Sequence, residues 1–167
     1  PIGVLHTPFR VTEGMPIQSA RSNMPGSAEV FEPFSAGLEG IEEFSHLYLI
    51  YRLHRVDAPV SLMVTPFLDK REHGVFATRF PRRPNLLGIS VVRLVSRDGN
   101  LLHFIGADML DGTPLLDIKP YVAEFDVHEV DRSGWLTRKK ADAAKKIRAD
   151  KRFSSSENTE VGSRKSE

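Results

Sequence analysis

The sequence predicts a mainly β fold: an antiparallel barrel or sandwich with long loops, followed by a C-terminal α-helix and a disordered tail. Three observations carry this. Short runs of branched, aromatic and aliphatic residues recur through the first 131 residues with few helical stretches between them, the pattern of an antiparallel sheet that closes or stacks on itself. Asp98-Gly99 stands between two such runs and is a tight-hairpin signal. After Asp131 the composition turns basic and Ala-rich, then Ser-rich.

In order, the expected strands are Ile2 to His6, Ala28 to Phe31 and the long apolar run His46 to His54. Leu62 to Thr65 and Val75 to Thr78 are short candidates. Ile89 to Val95 and Leu101 to Ala107 flank the hairpin, and Leu115 to Ile118 is the last. Pro- and Gly-rich loops between them are where a rigid sheet carries its site. Ser133-Gly134-Trp135-Leu136 reads as a hinge. Thr137 to Arg152 is helical in composition, with Ala141, Ala144 and Ile147 as a thin apolar stripe. The polar segment Ser154 to Glu167 is expected to be disordered. The organisation expected is therefore a β domain over 1–131, a basic helical extension over 132–153 and a tail over 154–167.

Hydrophobic residues make up 40% of the 167, enough for a core over most of that length. The chain has no cysteine, which excludes disulfides, zinc–thiolate sites, iron–sulfur clusters and cysteine nucleophiles and fits a cytoplasmic location. No apolar run approaches the roughly 20 residues of a membrane span. The chain begins at Pro1 without an initiator Met, which leaves its native start open. Residues 132–167 carry 11 basic and 5 acidic groups, a surplus of +6, against 12 basic and 17 acidic in the rest. An acidic body with a basic tail suggests an anionic partner for the tail; a solvated helix face is the plainer alternative.

Three clusters stand out. Gly74 to Gly88 packs Arg79, Arg82, Arg83, Pro81, Pro84 and Asn85 between two apolar runs. Proline stiffens such a loop, and forked guanidiniums on a stiff loop suit carboxylate or phosphate; otherwise it is a rigid corner with surface arginines. The second cluster runs from Asp108 to Tyr121, with Asp111-Gly112-Thr113-Pro114 as a turn and Asp117 and Lys119 on one face of the next strand. Its acids could do acid–base work or hold a divalent metal; a turn aspartate and a strand-end ion pair are the simpler account. The third runs from Glu39 to His54-Arg55, with histidines at both ends of a buried strand. Structural hydrogen bonding explains most such histidines, and the spacing fits no zinc site. There is no G-x-G, P-loop or nucleophile elbow. Residue chemistry alone stops at a β-rich domain with a rigid basic loop, an acidic turn and a basic tail.

Taken together and in order, these segments resemble the TrmO family, also known as TsaA-like or YaeB-like proteins. The resemblance rests on Ile2-Gly3-Val4, Thr7-Pro8-Phe9, Met15-Pro16-Ile17-Gln18, Gly37-Leu38-Glu39-Gly40-Ile41, Phe44-Ser45-His46, Gly74 to Arg79, Arg83-Pro84-Asn85 with Gly88, Asp111 to Pro114, and Asp117 to Tyr121. It spans residues 2–121. Two departures are visible. Phe80 follows the first loop arginine where the family has a small polar residue, and Leu86-Leu87-Gly88 stands for the common Pro-Ile-Gly.

The resemblance implies a single small β-barrel that binds S-adenosylmethionine (SAM) as methyl donor, without a metal. It implies methylation of N6 of the threonylcarbamoyl-modified adenosine just 3′ of the tRNA anticodon, by a homodimer holding SAM near its interface. Matched motif by motif, the SAM pocket is expected to draw on Pro16, Ile17, Gln18, His54, Arg55, Arg79, Ile89, Asp111, Gly112, Thr113 and Pro114. Arg82, Arg83, Asn85 and Lys119 are expected toward the tRNA anticodon loop. Methylation at N6 benefits from an acceptor for the nitrogen's proton, because the lone pair is spread into the ring. Asp111 is the first candidate and Asp117 the second, with an ion pair to Lys119 as the structural alternative. Two rivals remain: a non-enzymatic RNA-binding barrel, and a SAM-dependent methyltransferase with another acceptor.

Overall fold

Alternation along each strand decides the architecture. In β3 (His46–Arg52) Leu47, Leu49 and Tyr51 are buried and the residues between them are not. In β6 (Leu87–Asp98) Ser90, Val92 and Leu94 point inward, and in β7 (Leu101–Ile105) Leu102 and Phe104 do. A two-residue period with one apolar face demands a second apolar face to cover it. The sheet supplies that face by curling on itself: β1 (Gly3–His6), β2 (Pro25–Val30), β7, β6, β3 and β8 (Thr113–Pro120) form a closed barrel in that order. Every pairing is antiparallel, and β8 closes the ring on β1 with Gly3 opposite Leu115. The computed structural model describes residues 1–57 and 59–139.

Leu5, Leu47, Leu49, Val92, Leu102, Phe104 and Leu115 fill the interior, each 2% exposed or less. Closure needs local irregularity. The register slips in β8 opposite Ile50 and Tyr51 and in β6 between Leu94 and Ser96, where Val95 bulges outward and is exposed. Such bulges bend a strand and turn a barrel corner. The hairpin at Asp98-Gly99 forms as expected, with Gly99 in the left-handed region at φ 59°.

Outside the barrel, β4 (Met63–Val64) and β5 (His73–Gly74) make a small ribbon. Val75 to Thr78, expected as a strand, is instead a 3-10 turn over Val75–Ala77. Thr78 Oγ1 donates to Val75 O at 2.8 Å and accepts from Phe80 N at 3.2 Å, so a local side-chain bond replaces a sheet ladder. Ribbon and turn share a satellite core of Val64, Val75 and Phe80. That core is the reason an apolar residue suits position 80.

Asp69 organises the ribbon. It accepts from the Lys70 and Arg71 backbone N–H groups, from the Arg71 guanidinium at 3.4 Å, and from His73 Nε2 at 3.0 Å. The His73 bond, followed by the backbone donors, holds its carboxyl well below the usual carboxylate range. The His73 ring in turn stacks on Trp135 at a centroid distance of 5.0 Å, and Trp135 Nε1 donates to Ala77 O at 2.8 Å. The hinge expected at Ser133 to Leu136 is therefore docked on the ribbon, within a 3-10 segment Gly134–Lys139. The expected helix beyond residue 139 and the tail lie outside the described residues. Among the described residues no helix is long and apolar enough to cross a membrane.

Trp135 is the single tryptophan, so its fluorescence reports the ribbon alone. Asp69→Ala is expected to release His73 and shift the emission to longer wavelength, while the far-ultraviolet circular dichroism of the barrel stays unchanged. Unaltered emission would mean that Asp69 does not hold the ribbon.

Candidate functional site

A cavity of about 560 Å³ opens at the end of the barrel where β3 runs out and β6 begins, within the range of about 300–1,000 Å³ typical of small-molecule sites. Four segments wall it. The early loop supplies Met15, Pro16, Ile17 and Gln18; the end of β3 supplies Tyr51, Leu53, His54 and Arg55; the Arg/Pro loop supplies Phe76, Arg79, Arg83 and Asn85, and leads to Ile89; the turn before β8 supplies Asp108, Met109 and Thr113. Segments about 20 to 100 residues apart in sequence thus meet because the barrel gathers its loops at one rim.

Two polar bridges tie the loops. Arg79 Nη1 donates to Gln18 Oε1 at 2.7 Å, joining the Arg/Pro loop to the early loop. Arg55 Nη1 donates to Arg10 O at 3.2 Å. Arg83 bonds its own loop, donating to Thr78 O and Phe80 O at 3.2 and 3.3 Å, which fixes the corner's shape. The second family departure has a backbone counterpart here. Leu86 has φ 49°, a left-handed conformation that a proline ring cannot adopt, so the chain turns differently at this point.

On the inner wall a directed hydrogen-bond chain runs into the cavity. Ser90 Oγ donates to Asp108 Oδ1 at 2.6 Å, which uses its only proton. The 3.0 Å contact between Ser90 Oγ and Tyr51 OH is therefore donated by tyrosine. Burial, with the Asp108 charge second, pushes the Tyr51 hydroxyl well above its ordinary value, so it remains the donor. Burial also pushes the Asp108 carboxyl up to about 6, against opposing bonds from Ser90 and the Ser19 backbone and the attraction of Arg79. A methyl on Gly88 would collide with the Tyr51 ring; the glycine opposite it lets the tyrosine lie across β6 and reach Ser90.

His54 is the histidine on the wall. Thr113 Oγ1 gives its proton to Leu110 O at 2.6 Å, so toward His54 Nδ1 at 3.3 Å it can only accept. Nδ1 therefore carries the ring proton and Nε2 is left as an acceptor. Burial first, then Arg55 and Arg52, hold the imidazole below its ordinary value, which keeps it neutral near pH 7.

Several expected site residues lie elsewhere. Asp111 is not on the cavity wall. Its carboxylate accepts from Thr7 N at 3.1 Å and pairs with Arg10 at 3.3 Å, while Asp111 N and Gly112 N donate to Phe9 O and Leu5 O. The acidic turn thus staples the N-terminal segment, and the Asp111 carboxylate is linked to the site through Arg10, whose carbonyl holds Arg55. Pro114 lies on β8 opposite Val4. Asp117 and Lys119 pair with each other at 3.0 Å, partly exposed; such pairs contribute about 0–1 kcal/mol. Arg82 is buried, away from the cavity wall. His46 bonds to Ser45 Oγ and meets the Tyr121 ring edge-on. Among the described residues no group of acids and histidines is placed to hold a metal.

Residues 4–127 match the family model described as tRNA-methyltransferase O N-terminal domain. The chain belongs to the TrmO family. A Pyrococcus abyssi relative named a probable S-adenosyl-L-methionine-binding protein is 55% identical over 154 residues, covering 92% of this chain and 83% of that one. A mouse protein named tRNA (adenine(37)-N6)-methyltransferase is 36% identical over 136 residues, covering 75% of this chain and 31% of its own. The crystal structure of TrmO from Pseudomonas aeruginosa superposes with a TM-score of 0.67 at 40% identity, over 81% of this chain and 59% of that one. The chain thus spans about three fifths of that crystallised TrmO and about a third of the mouse protein.

Within this TrmO barrel, ionising Asp108 is costly. Its carboxyl titrates near 6 when folded against an ordinary 3.8, so the fold loses stability as pH rises from about 4 through about 6. The shift converts to roughly 3 kcal/mol at most, and the partial exposure of Asp108 lowers that to about 1–2 kcal/mol. Asp108→Asn is therefore expected to melt higher than the parent at neutral pH without ligand, the gain vanishing below about pH 4. Equal melting at both pH values would mean that Asp108 is not held under strain.

Proposed function

We propose that this chain is a SAM-dependent methyltransferase that acts on N6 of the threonylcarbamoyl-modified adenosine beside the tRNA anticodon. It works as a homodimer with SAM near the interface. The observation that carries the reading is the composition of the cavity. Arg79 and Arg55 line it, Ile17, Leu53 and Ile89 give it an apolar wall, and one half-buried carboxylate, that of Asp108, joins them. Those features fit a ligand that joins a zwitterionic amino acid to a flat heterocycle. The names carried by the Pyrococcus and mouse relatives support the donor and the acceptor respectively. Exposed Phe76, Leu87 and Ile89 along the mouth support cover by a second copy or by a base of the RNA.

When bound, SAM supplies a methyl group already activated for displacement, so the protein's task is alignment and exclusion of water. Arg79, braced by Gln18, suits the methionine carboxylate. Ile17 and Ile89 keep water from the reacting face. In place of Asp111, His54 is the group suited to take the proton of the acceptor nitrogen: it is neutral, it lines the cavity, and its Nε2 is the free acceptor. The basic segment after Asp131 supplies phosphate affinity that weakens with salt.

The decisive measurement is mass spectrometry of tRNA nucleosides after incubation with isotopically labelled SAM. A labelled methyl on threonylcarbamoyladenosine is expected. Label on another nucleoside would favour a different acceptor, and RNA binding without label or SAM affinity would favour a non-enzymatic RNA-binding barrel. His54→Gln is expected to lower kcat about 100-fold with SAM affinity nearly unchanged, and the parent rate is expected to fall as acid protonates His54. Undiminished turnover in that variant would remove His54 from the chemistry.

A further inference from the structure

The charges on the cavity wall do not balance. Arg55, Arg79 and Arg83 line it, and Asp108 is the one carboxylate among the described residues that do. A wall with three guanidiniums attracts the carboxylate of an amino-acid ligand and repels a second cation in the same ligand. A sulfonium donor carries such a cation at its reacting centre. The demethylated product, S-adenosylhomocysteine (SAH), has a neutral thioether there and is otherwise the same molecule. Asp108 is placed to offset the repulsion. It is half-buried on the cavity wall, where screening by water is weaker than at the open surface. The Tyr51–Ser90 chain donates into its Oδ1 and holds the carboxylate in one orientation.

We propose that Asp108 is the counter-ion through which the cavity selects the sulfonium donor over its thioether product. The inference rests on the methyl-donor reading above and adds to it the basis of ligand selection. It also gives a reason for product release: transfer removes the positive charge and leaves the half-buried carboxylate without its partner. The ionisable groups that face Asp108 are Tyr51 from β3 and Arg79 from the Arg/Pro loop. Tyr51 keeps its proton, and Arg79 is always cationic. Asp108 therefore supplies the negative charge on the cavity wall.

Calorimetry with SAM, SAH and sinefungin tests this. Sinefungin carries an amine where SAM has its sulfonium. Near pH 7.5 the parent protein is expected to bind SAM and sinefungin at least about tenfold more tightly than SAH, a ratio typical of one well-placed charge. Asp108→Asn is expected to abolish that preference, weakening SAM and sinefungin about tenfold while SAH changes less than about threefold. Equal loss for all three ligands would place Asp108 on the part they share, and an unchanged preference would leave it without a role; either overturns the proposal. Equal affinity of the parent protein for SAM and SAH also overturns it, without any variant. Failure of the parent protein to bind any of the three would instead overturn the methyl-donor reading itself.

Discussion

The two-residue alternation of β3 is the constraint on which the rest of the molecule depends. The strand pairs with β6 on one side and β8 on the other, so its inward series cannot slip by one residue without turning three side chains out of the barrel. Leu47 and Leu49 spend that series on the core. Tyr51, the next inward position, is at the barrel's end, where the same geometry aims it at Ser90 and the cavity. His54 and Arg55 follow as the chain leaves the sheet. One strand thus converts from core to site within a few residues, and the site is as rigid as the barrel because it is the barrel's continuation.

Much of this was legible in the sequence because alternation is. The runs around Leu5, Leu49, Val92, Leu102 and Leu115 all became strands, and Asp98-Gly99 became their hairpin. Val75 to Thr78 did not, because four apolar and small residues fit a strand or a turn equally well and the Thr78 hydroxyl decided for the turn. β5 carried no signal at all, since His73–Gly74 is polar and glycine and pairs only with Met63–Val64. Motif order grouped Pro16 to Gln18, His54, Arg55 and Arg79, and in the structure they line one cavity. It put Asp111 on the same wall, whereas the carboxylate lining the cavity is that of Asp108. Asp108 and Asp111 are three residues apart, and which one faces the cavity depends on how the turn between them docks on Thr7, Phe9 and Leu5. That docking is tertiary. A local signal for Asp108 did exist: Ser90 is the polar member of an inward series that continues with Val92 and Leu94, and a buried hydroxyl needs a partner.

The electrostatics of the cavity follow from the same enclosure. Burial acts in one direction on Tyr51 and Asp108, favouring their neutral forms, and in the corresponding direction on His54. The guanidiniums oppose it for Asp108 and reinforce it for His54. The site therefore holds an imidazole that is neutral and a carboxylate that is mostly ionised near pH 7, at a cost. A group poised in that way gains most from a ligand that supplies the missing charge, and its cost to the ligand-free fold is the ordinary signature of a functional position.

The Arg/Pro loop changes meaning in this setting. Its three arginines are not equivalent cations on a rigid corner. Arg82 is buried, Arg83 spends hydrogen bonds on the loop's own carbonyls, and Arg79 reaches across to another segment of the wall through Gln18. Phe80 roots the loop in the satellite core with Val64 and Val75, and Asp69, His73 and Trp135 brace that core from behind. The ribbon outside the barrel is thus a support for one guanidinium. Trp135 lies in the 3-10 segment Gly134–Lys139, and its bond to Ala77 O places the start of that segment against the turn that leads into Arg79.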